Sequence, residues 1–284
     1  MNAVVGVQSP AQRVGRATRS VLLLVSALIF LIPFYLLIRN SLASSPEIAG
    51  LDFTLWPAAP EWANFSAAFH NDQIPFGRSL LNSIVVSLVQ TFLTVLLSAA
   101  AGFGLARIPY RYAGFITAMV LATLMVPAAV TFLPTFVVVS SLGWVSDLRG
   151  LIIPGLFVAL PVFLFRQQFL DFPKDLEDAG RIDGLGYPGV FFRVVLPNSG
   201  SFVAAVAAIT FLGSWNAFLW PLVIAQEPSS WTIQVALSAF NNSQSTNFPV
   251  LFAASAIAVV PVLVIFLGLQ RFIRQGYETS GTTG

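Results

Sequence analysis

Six long apolar stretches, separated by polar connections, leave this chain few options other than a bundle of helices in a membrane. A helix needs about 20 apolar residues to cross the hydrocarbon core. Residues 20–38, 80–106, 114–140, 150–165, 201–225 and 250–269 meet or approach that length. The fourth stretch is the shortest and holds Pro154 and Pro161, whose freed backbone groups neighbouring helices must satisfy. Charged residues make up only 9% of the chain, against about 25% in soluble domains. So few charges cannot solvate a globular surface, and most of the surface is expected to face lipid. The first stretch follows a basic segment, as a signal peptide would. It is longer than a typical signal-peptide core and no A-x-A-type cleavage site follows, so it reads as a retained anchor.

The basic residues set an orientation. With the N-terminus in the cytoplasm, that side holds eleven of the fourteen Lys and Arg: Arg13, Arg16, Arg19, Arg107, Arg111, Arg166, Lys174, Arg181, Arg193, Arg271 and Arg274. Arg39, Arg78 and Arg149 remain outside. This positive-inside bias predicts that both termini are cytoplasmic. The simplest organisation is a cytoplasmic segment 1–19, one membrane domain 20–270 containing a charged cytoplasmic loop 166–200, and a cytoplasmic tail 271–284. The outer connection 40–79 carries Trp56, Pro57, Pro60, Trp62 and Phe65 and is long enough to fold partly over the membrane surface.

Several chemistries are excluded. There is no cysteine, hence no disulfide framework or thiolate metal site. His70 is the only histidine and falls in the outer connection, so neither a metal site nor histidine catalysis is supported. No G-x-x-x-x-G-K-[ST] phosphate cradle is present, which places any ATP binding on another polypeptide. Asp171, Asp175, Glu177, Asp178 and Asp183 lie close together without a histidine, and paired-carboxylate catalysis is not expected. The basic residues are scattered among apolar blocks and form no patch for nucleic acid. No span carries a charged residue in its centre, where proton-coupled transporters place their relays. Sodium can be held by neutral oxygens alone, so the absence argues against a self-powered proton pump or antiporter and points to energy entering elsewhere.

The polar residues at membrane depth are neutral. Asn82, Ser83, Ser87, Gln90, Thr91, Thr94 and Ser98 lie in the second span, and Thr210, Ser214, Trp215 and Asn216 in the fifth. Their ordinary role is to join helices, and the Ser98/Gly102 and Ala100/Gly104 pairs are small-xxx-small steps that permit close packing. A hydroxyl-tolerant path is the alternative role, since hydrogen-bonding groups beside an aromatic ring suit a sugar. Asn82, Ser83, Ser87, Trp215 and Asn216 are the candidates for it.

The loop 172–200 reads FPKDLEDAGRIDGLGYPGVFFRVVLPNSG. Pro173 suits the first turn of a helix. Leu176, Ala179 and Ile182 form a narrow apolar stripe among acidic residues, and Gly184 is placed to end the helix in the left-handed conformation. A second short helix is predicted from about Pro188 to just before Pro197. The result is a helix–turn–helix with an apolar stripe that needs a partner. Its acidic excess disfavours the negative membrane surface as that partner and favours a protein.

EDAGRIDG (177–184), nine further residues, and VVLP (194–197) resemble the EAA loop of binding-protein-dependent ABC importers, with its E-A-A-x-x-x-G and I-x-L-P pattern. Asp178 replaces the second alanine and Val194 the isoleucine. FLGSWNAFLWPL (211–222) is similar to the W-N-x-F-L-W-P-L stretch of carbohydrate permeases of the maltose-system type. PVLVIFLGLQRFI (261–273), NSL (40–42) and LLNS (80–83) also match runs of that group, whereas the tail YETSGTTG (277–284) departs from it. The resemblance implies an all-α integral membrane protein, a type I ABC importer permease with six transmembrane helices and a cytoplasmic coupling helix–turn–helix. It implies that Glu177, Asp178, Ala179, Asp183, Gly184, Leu196 and Pro197 couple to the ATPase, with Glu177 pairing with a basic ATPase residue and Gly184 setting the turn. The implied partners are a homologous permease, an ATPase dimer holding ATP and Mg, and an extracytoplasmic binding protein that delivers a sugar, amino sugar or sugar phosphate. The implied location is a bacterial or archaeal cytoplasmic membrane. Two rival readings are a peptide or polyamine importer and a non-transporting membrane scaffold.

Overall fold

A computed structural model describes residues 10–242 and 247–280. Every regular element among them is helical, as a chain in lipid requires when each backbone polar group must be satisfied locally.

The chain divides into two units, one comprising residues 1–68 with 245–256, the other 69–244 with 257–284. In the first, α1 (Pro10–Ser41) carries the 24-residue apolar span Thr18–Ser41, which is largely exposed except at its C-terminal end, where Arg39 and Ser41 are buried. Beyond it, α2 (Ser45–Ala49) opens on a capping box in which Ser44 and Glu47 bond reciprocally. Arg39 is 2% exposed, donating to the Thr54 carbonyl and hydroxyl. Asn64, on α3 (Ala63–Phe69), donates to the carbonyls of Ser41 and Ala43. The outer connection is thus folded on itself through polar bonds.

The second unit is organised by α4 (Phe76–Arg107), a 32-residue apolar helix. The predicted third span is two helices, α5 (Ala113–Leu124) and α6 (Ala128–Ser141), meeting at 98°. Pro127 accounts for the break, since it lacks an N–H and drives Val126 out of the helical region. The predicted fourth span becomes α7 (Leu148–Ile152), a 3₁₀ turn through Gly155, and α8 (Ala159–Leu170), bent by 41°. The charged loop holds α9 (Lys174–Ile182), α10 (Tyr187–Val190), a π turn over Phe191–Val195, and α11 (Leu196–Asn198). Then α12 (Gly200–Trp215) leaves at 81° to the preceding segment. The predicted fifth span does not run unbroken to residue 225. It ends at Trp215, and α13 (Leu219–Ile224) starts anew. After α14 (Ile233–Asn242), α15 (Phe248–Ser280) carries the last apolar span, Phe248–Phe272. Among the described residues three helices are long and apolar enough to cross a membrane, or six spans if each bent pair counts as one.

Within the second unit α4 packs chiefly on α8 and α12. Its closest approach is at Gly102, where an added β-carbon would lie 2.7 Å from the Phe165 Cβ and 2.8 Å from the Arg166 backbone N. Of the two predicted small-residue pairs, Ser98 and Gly102 are buried, whereas Ala100 is exposed and Gly104 has open space around it. Only the first serves close packing.

Candidate coupling elbow and transmembrane cavity

The turn after α9 forms as its sequence demands. Gly184 has φ +83°, accessible to glycine without steric cost, and the Leu185 N–H bonds back to the Gly180 carbonyl. The second helix of the elbow does not stop before Pro197. It continues to Asn198 because the π turn changes the bonding: the Leu196 N–H reaches the Phe191 carbonyl, five residues back. Widening the helix ahead of Pro197 relieves the clash its ring would make with the carbonyl four residues earlier.

The orientation of α9 gives it two distinct faces. Leu176 is 47% and Ile182 87% exposed, and Ala179 is exposed with them, so the apolar stripe faces outward. Glu177 and Gly180 face inward. Glu177, 2% exposed, accepts a hydrogen bond from Nε of Arg107 at 2.6 Å, a partner within its own chain. A carboxylate cannot be buried without such compensation, and Arg107, at the last turn of α4, is the cation within reach. Arg107 also donates from a terminal nitrogen to the Phe172 carbonyl at 2.6 Å. Beneath the pair, Phe103, Phe165, Phe169, Phe172 and Phe191 form a buried cluster with Val190 and Val195. Their rings meet largely edge to face, Phe103 against Phe169 at 6.1 Å and Phe165 against Phe202 at 5.4 Å. The elbow is therefore seated firmly on its own bundle.

The other predicted coupling residues are distributed around this seat. Asp178, Asp183 and Gly184 are exposed beside the apolar stripe, and Pro197 is exposed on α11 among residues of α4 and α12. Leu196 is half-buried against the phenylalanine cluster.

Ser83, Ser87, Gln90 and Thr94 recur along one face of α4 and line a cavity of about 460 Å³. Thr131 and Thr135 of α6, Thr210 and Ser214 of α12, Trp220 of α13 and Thr232 complete its polar and aromatic lining, which contains no charged residue. Thr135 donates its hydroxyl proton to the Thr131 carbonyl and Thr210 to that of Val206, leaving oxygen lone pairs as acceptors. The hydroxyl oxygens of Ser87, Ser214 and Thr232 are buried without a protein partner. Both donors and acceptors are thus free at one neutral site. Gln90 lies across the Gly155 backbone, where any β-carbon would overlap its amide.

Of the five path candidates, the structure brings only Ser83 and Ser87 to the cavity. Ser83 also accepts from the Ile233 N–H at 2.7 Å. Asn82 spends its amide on the carbonyls of Ser229 and Trp231. Trp215 is 2% exposed and stacks on Phe211, while Asn216 is exposed and accepts a long bond from Gln234. The aromatic wall is instead Trp220, edge-on to Phe132 at 5.5 Å, its indole N–H donating to the Gly150 carbonyl. The α-helical period of the polar residues on α4 was the available signal for Gln90 and Thr94. Nothing local singled out Trp220, because the break after Trp215 decides which tryptophan reaches the cavity.

Residues 94–279, more than half of the chain, match the family described as binding-protein-dependent transport system inner membrane component. The chain belongs to this family. Among the family's characterised members, the permease is 32% identical over 278 residues to the arabinooligosaccharides transport system permease protein AraQ of Bacillus subtilis (strain 168), covering 97% of this chain and 99% of that one. It is 29% identical over 266 residues to the sn-glycerol-3-phosphate transport system permease protein UgpE of Yersinia pestis bv. Antiqua (strain Antiqua), covering 92% and 95%. Its fold matches a chain in the crystal structure of a bacterial ABC transporter involved in import of the acidic polysaccharide alginate, with TM-score 0.82, 18% identity, and coverage of 94% and 99%.

Proposed function

We propose that this permease is one half of the membrane pathway of an ATP-driven sugar importer. It crosses the bilayer six times, the α5–α6 and α7–α8 pairs each serving as one bent span and α12 as the fifth, with both termini in the cytoplasm. The elbow 172–198 projects toward a cytoplasmic ATPase dimer, which holds ATP and Mg and performs the hydrolysis; the permease supplies no catalytic group. A homologous permease completes the pathway, and an extracytoplasmic binding protein delivers the sugar. A relative's crystal structure with a substrate-loaded periplasmic protein supports that last partner. Transport proceeds by alternating access, with closure of the ATPase dimer pulling the elbows and switching the gate.

The observation that carries this reading is the orientation of α9. A short helix that buries its glutamate on its own bundle and exposes Leu176, Ala179 and Ile182 presents an apolar ridge flanked by Asp175, Asp178 and Asp183. Such a ridge in water is unfavourable unless a complementary groove covers it, and the EAA-type sequence assigns that groove to the ATPase. The cavity supports the substrate class: free hydroxyls beside Trp220 and Phe132 suit a polyhydroxylated solute, and the absence of charge in the lining favours a neutral sugar over a sugar phosphate.

Two measurements test the reading. Detergent extraction under conditions that keep other complexes intact should recover the ATPase with this chain; recovery of the permease alone would favour a scaffold. Uptake of labelled neutral oligosaccharides should exceed that of peptides, polyamines and sugar phosphates in cells expressing the whole system, and a preference for peptides would overturn the assignment.

A further inference from the structure

The clamp on the elbow and the wall of the cavity are two parts of the same helix. Ser83, Ser87, Gln90 and Thr94 line the cavity from α4, and Arg107 ends that helix about 20 Å beyond Thr94 at 1.5 Å of rise per residue. Arg107 grips the elbow at two points, Oε1 of Glu177 in α9 and the Phe172 carbonyl that precedes it. Guanidinium donors are held in one plane, so two simultaneous bonds resist both sliding and rotation, which a single ammonium could not do. The clamp is dry, with side-chain exposures of 7% and 3%, and water does not compete for its bonds.

We propose that Arg107 is a positioning residue for transport, clamping the elbow to α4 so that the two move as one body and the elbow's displacement reaches the cavity wall. This rests on the importer reading for what moves the elbow, but the clamp itself is read from geometry. The phenylalanine cluster alone would keep the elbow attached. Apolar contacts are non-directional, however, and allow slippage under load.

The test uses the complete importer in nanodiscs and a variant designed to keep packing while removing the bonds, Arg107→Met with Glu177→Leu. Replacing both members of a buried pair by apolar groups is often neutral for stability. The chain has no cysteine, so spin labels are placed at Lys174→Cys on the elbow, outside the apolar ridge, and at Ala100→Cys on α4, both exposed. In the wild type the distance between labels should be the same in the resting and ATP-trapped states. In the double variant it should differ between them, and ATP hydrolysed per sugar imported should rise about tenfold or more. Arg107→Lys, which keeps the charge but not the fork, should fall between the two. Three results would overturn the proposal: a wild-type distance that changes on ATP trapping, a double variant that behaves as wild type in both readouts, or uptake and hydrolysis falling in proportion in assembled complexes. A wild-type complex that imports no sugar would count against the sugar reading, while the label distances, which need no solute, still decide the clamp.

Discussion

Gly102 and Phe165 hold α4 and α8 at a separation that no side chain at position 102 can tolerate. A β-carbon there would sit 2.7 Å from one carbon of Phe165 and 2.8 Å from the Arg166 backbone nitrogen, and backbone cannot rotate away. Gly102→Ala should therefore push the helices apart and loosen the phenylalanine cluster beneath the elbow, costing about 1–3 kcal/mol. Gly104→Ala, two residues on with open space around it, should be neutral or stabilising by up to about 1 kcal/mol. Thermal unfolding of the two purified variants checks the contrast, and equal melting temperatures would show that the close approach is not needed.

Glu177→Lys places two cations in one dry site. Removing one member of a buried pair costs about 3–5 kcal/mol, and a like charge adds repulsion. The elbow should leave its seat, abolishing uptake while the chain still inserts in the membrane. Glu177→Gln, which still accepts from Arg107, should keep measurable uptake. Indistinguishable transport by the Lys and Gln variants would argue against the internal ion pair.

Gly184 at φ +83° is the pivot between the elbow's two helices. Proline, fixed near φ −65°, cannot take its place, and alanine should cost about 1–2 kcal/mol, with asparagine milder. Uptake should fall in the order Gly, Asn, Ala, Pro at constant membrane content. Full activity of the proline variant would remove any coupling role for the turn.

The Ser87 hydroxyl is buried without a protein partner. An unpaired buried hydroxyl contributes nothing to folding, so Ser87→Ala should leave the melting temperature unchanged or raise it. If the cavity is the sugar's route, the KM for uptake should rise by a few-fold to about tenfold, the worth of one neutral hydrogen bond. A lower melting temperature with unchanged KM would assign Ser87 to packing instead.

Outside the spans, Glu47 accepts from the Ser44 N–H and the Ala58 N–H, and those bonds hold its carboxyl below the ordinary value of 4.5. A depressed value means that the folded state favours the charged form. The contribution is complete above pH 4.5 and is lost as pH falls through the folded value. Hydrogen exchange at the Ala58 amide, corrected for its intrinsic rate, should accelerate only in that acid range, and Glu47→Gln should remove the pH dependence. Protection that persists unchanged into strong acid would refute it.

Features that depend on local chemistry alone were legible in the chain. Apolar runs long enough for lipid, the helix that Pro173 begins, and the left-handed turn at Gly184 all follow from residues within a few positions of one another. Tertiary structure decided which face of each helix turns inward. Leu176, Ala179 and Ile182 have the spacing of a buried stripe, yet Glu177 is the residue that is buried, because its cation lies 70 residues earlier at Arg107. Trp215 and Trp220 are equally apolar in sequence, but the break between α12 and α13 sends only Trp220 to the cavity. The period of a helix shows which residues share a face. Only the position of a distant partner shows where that face points.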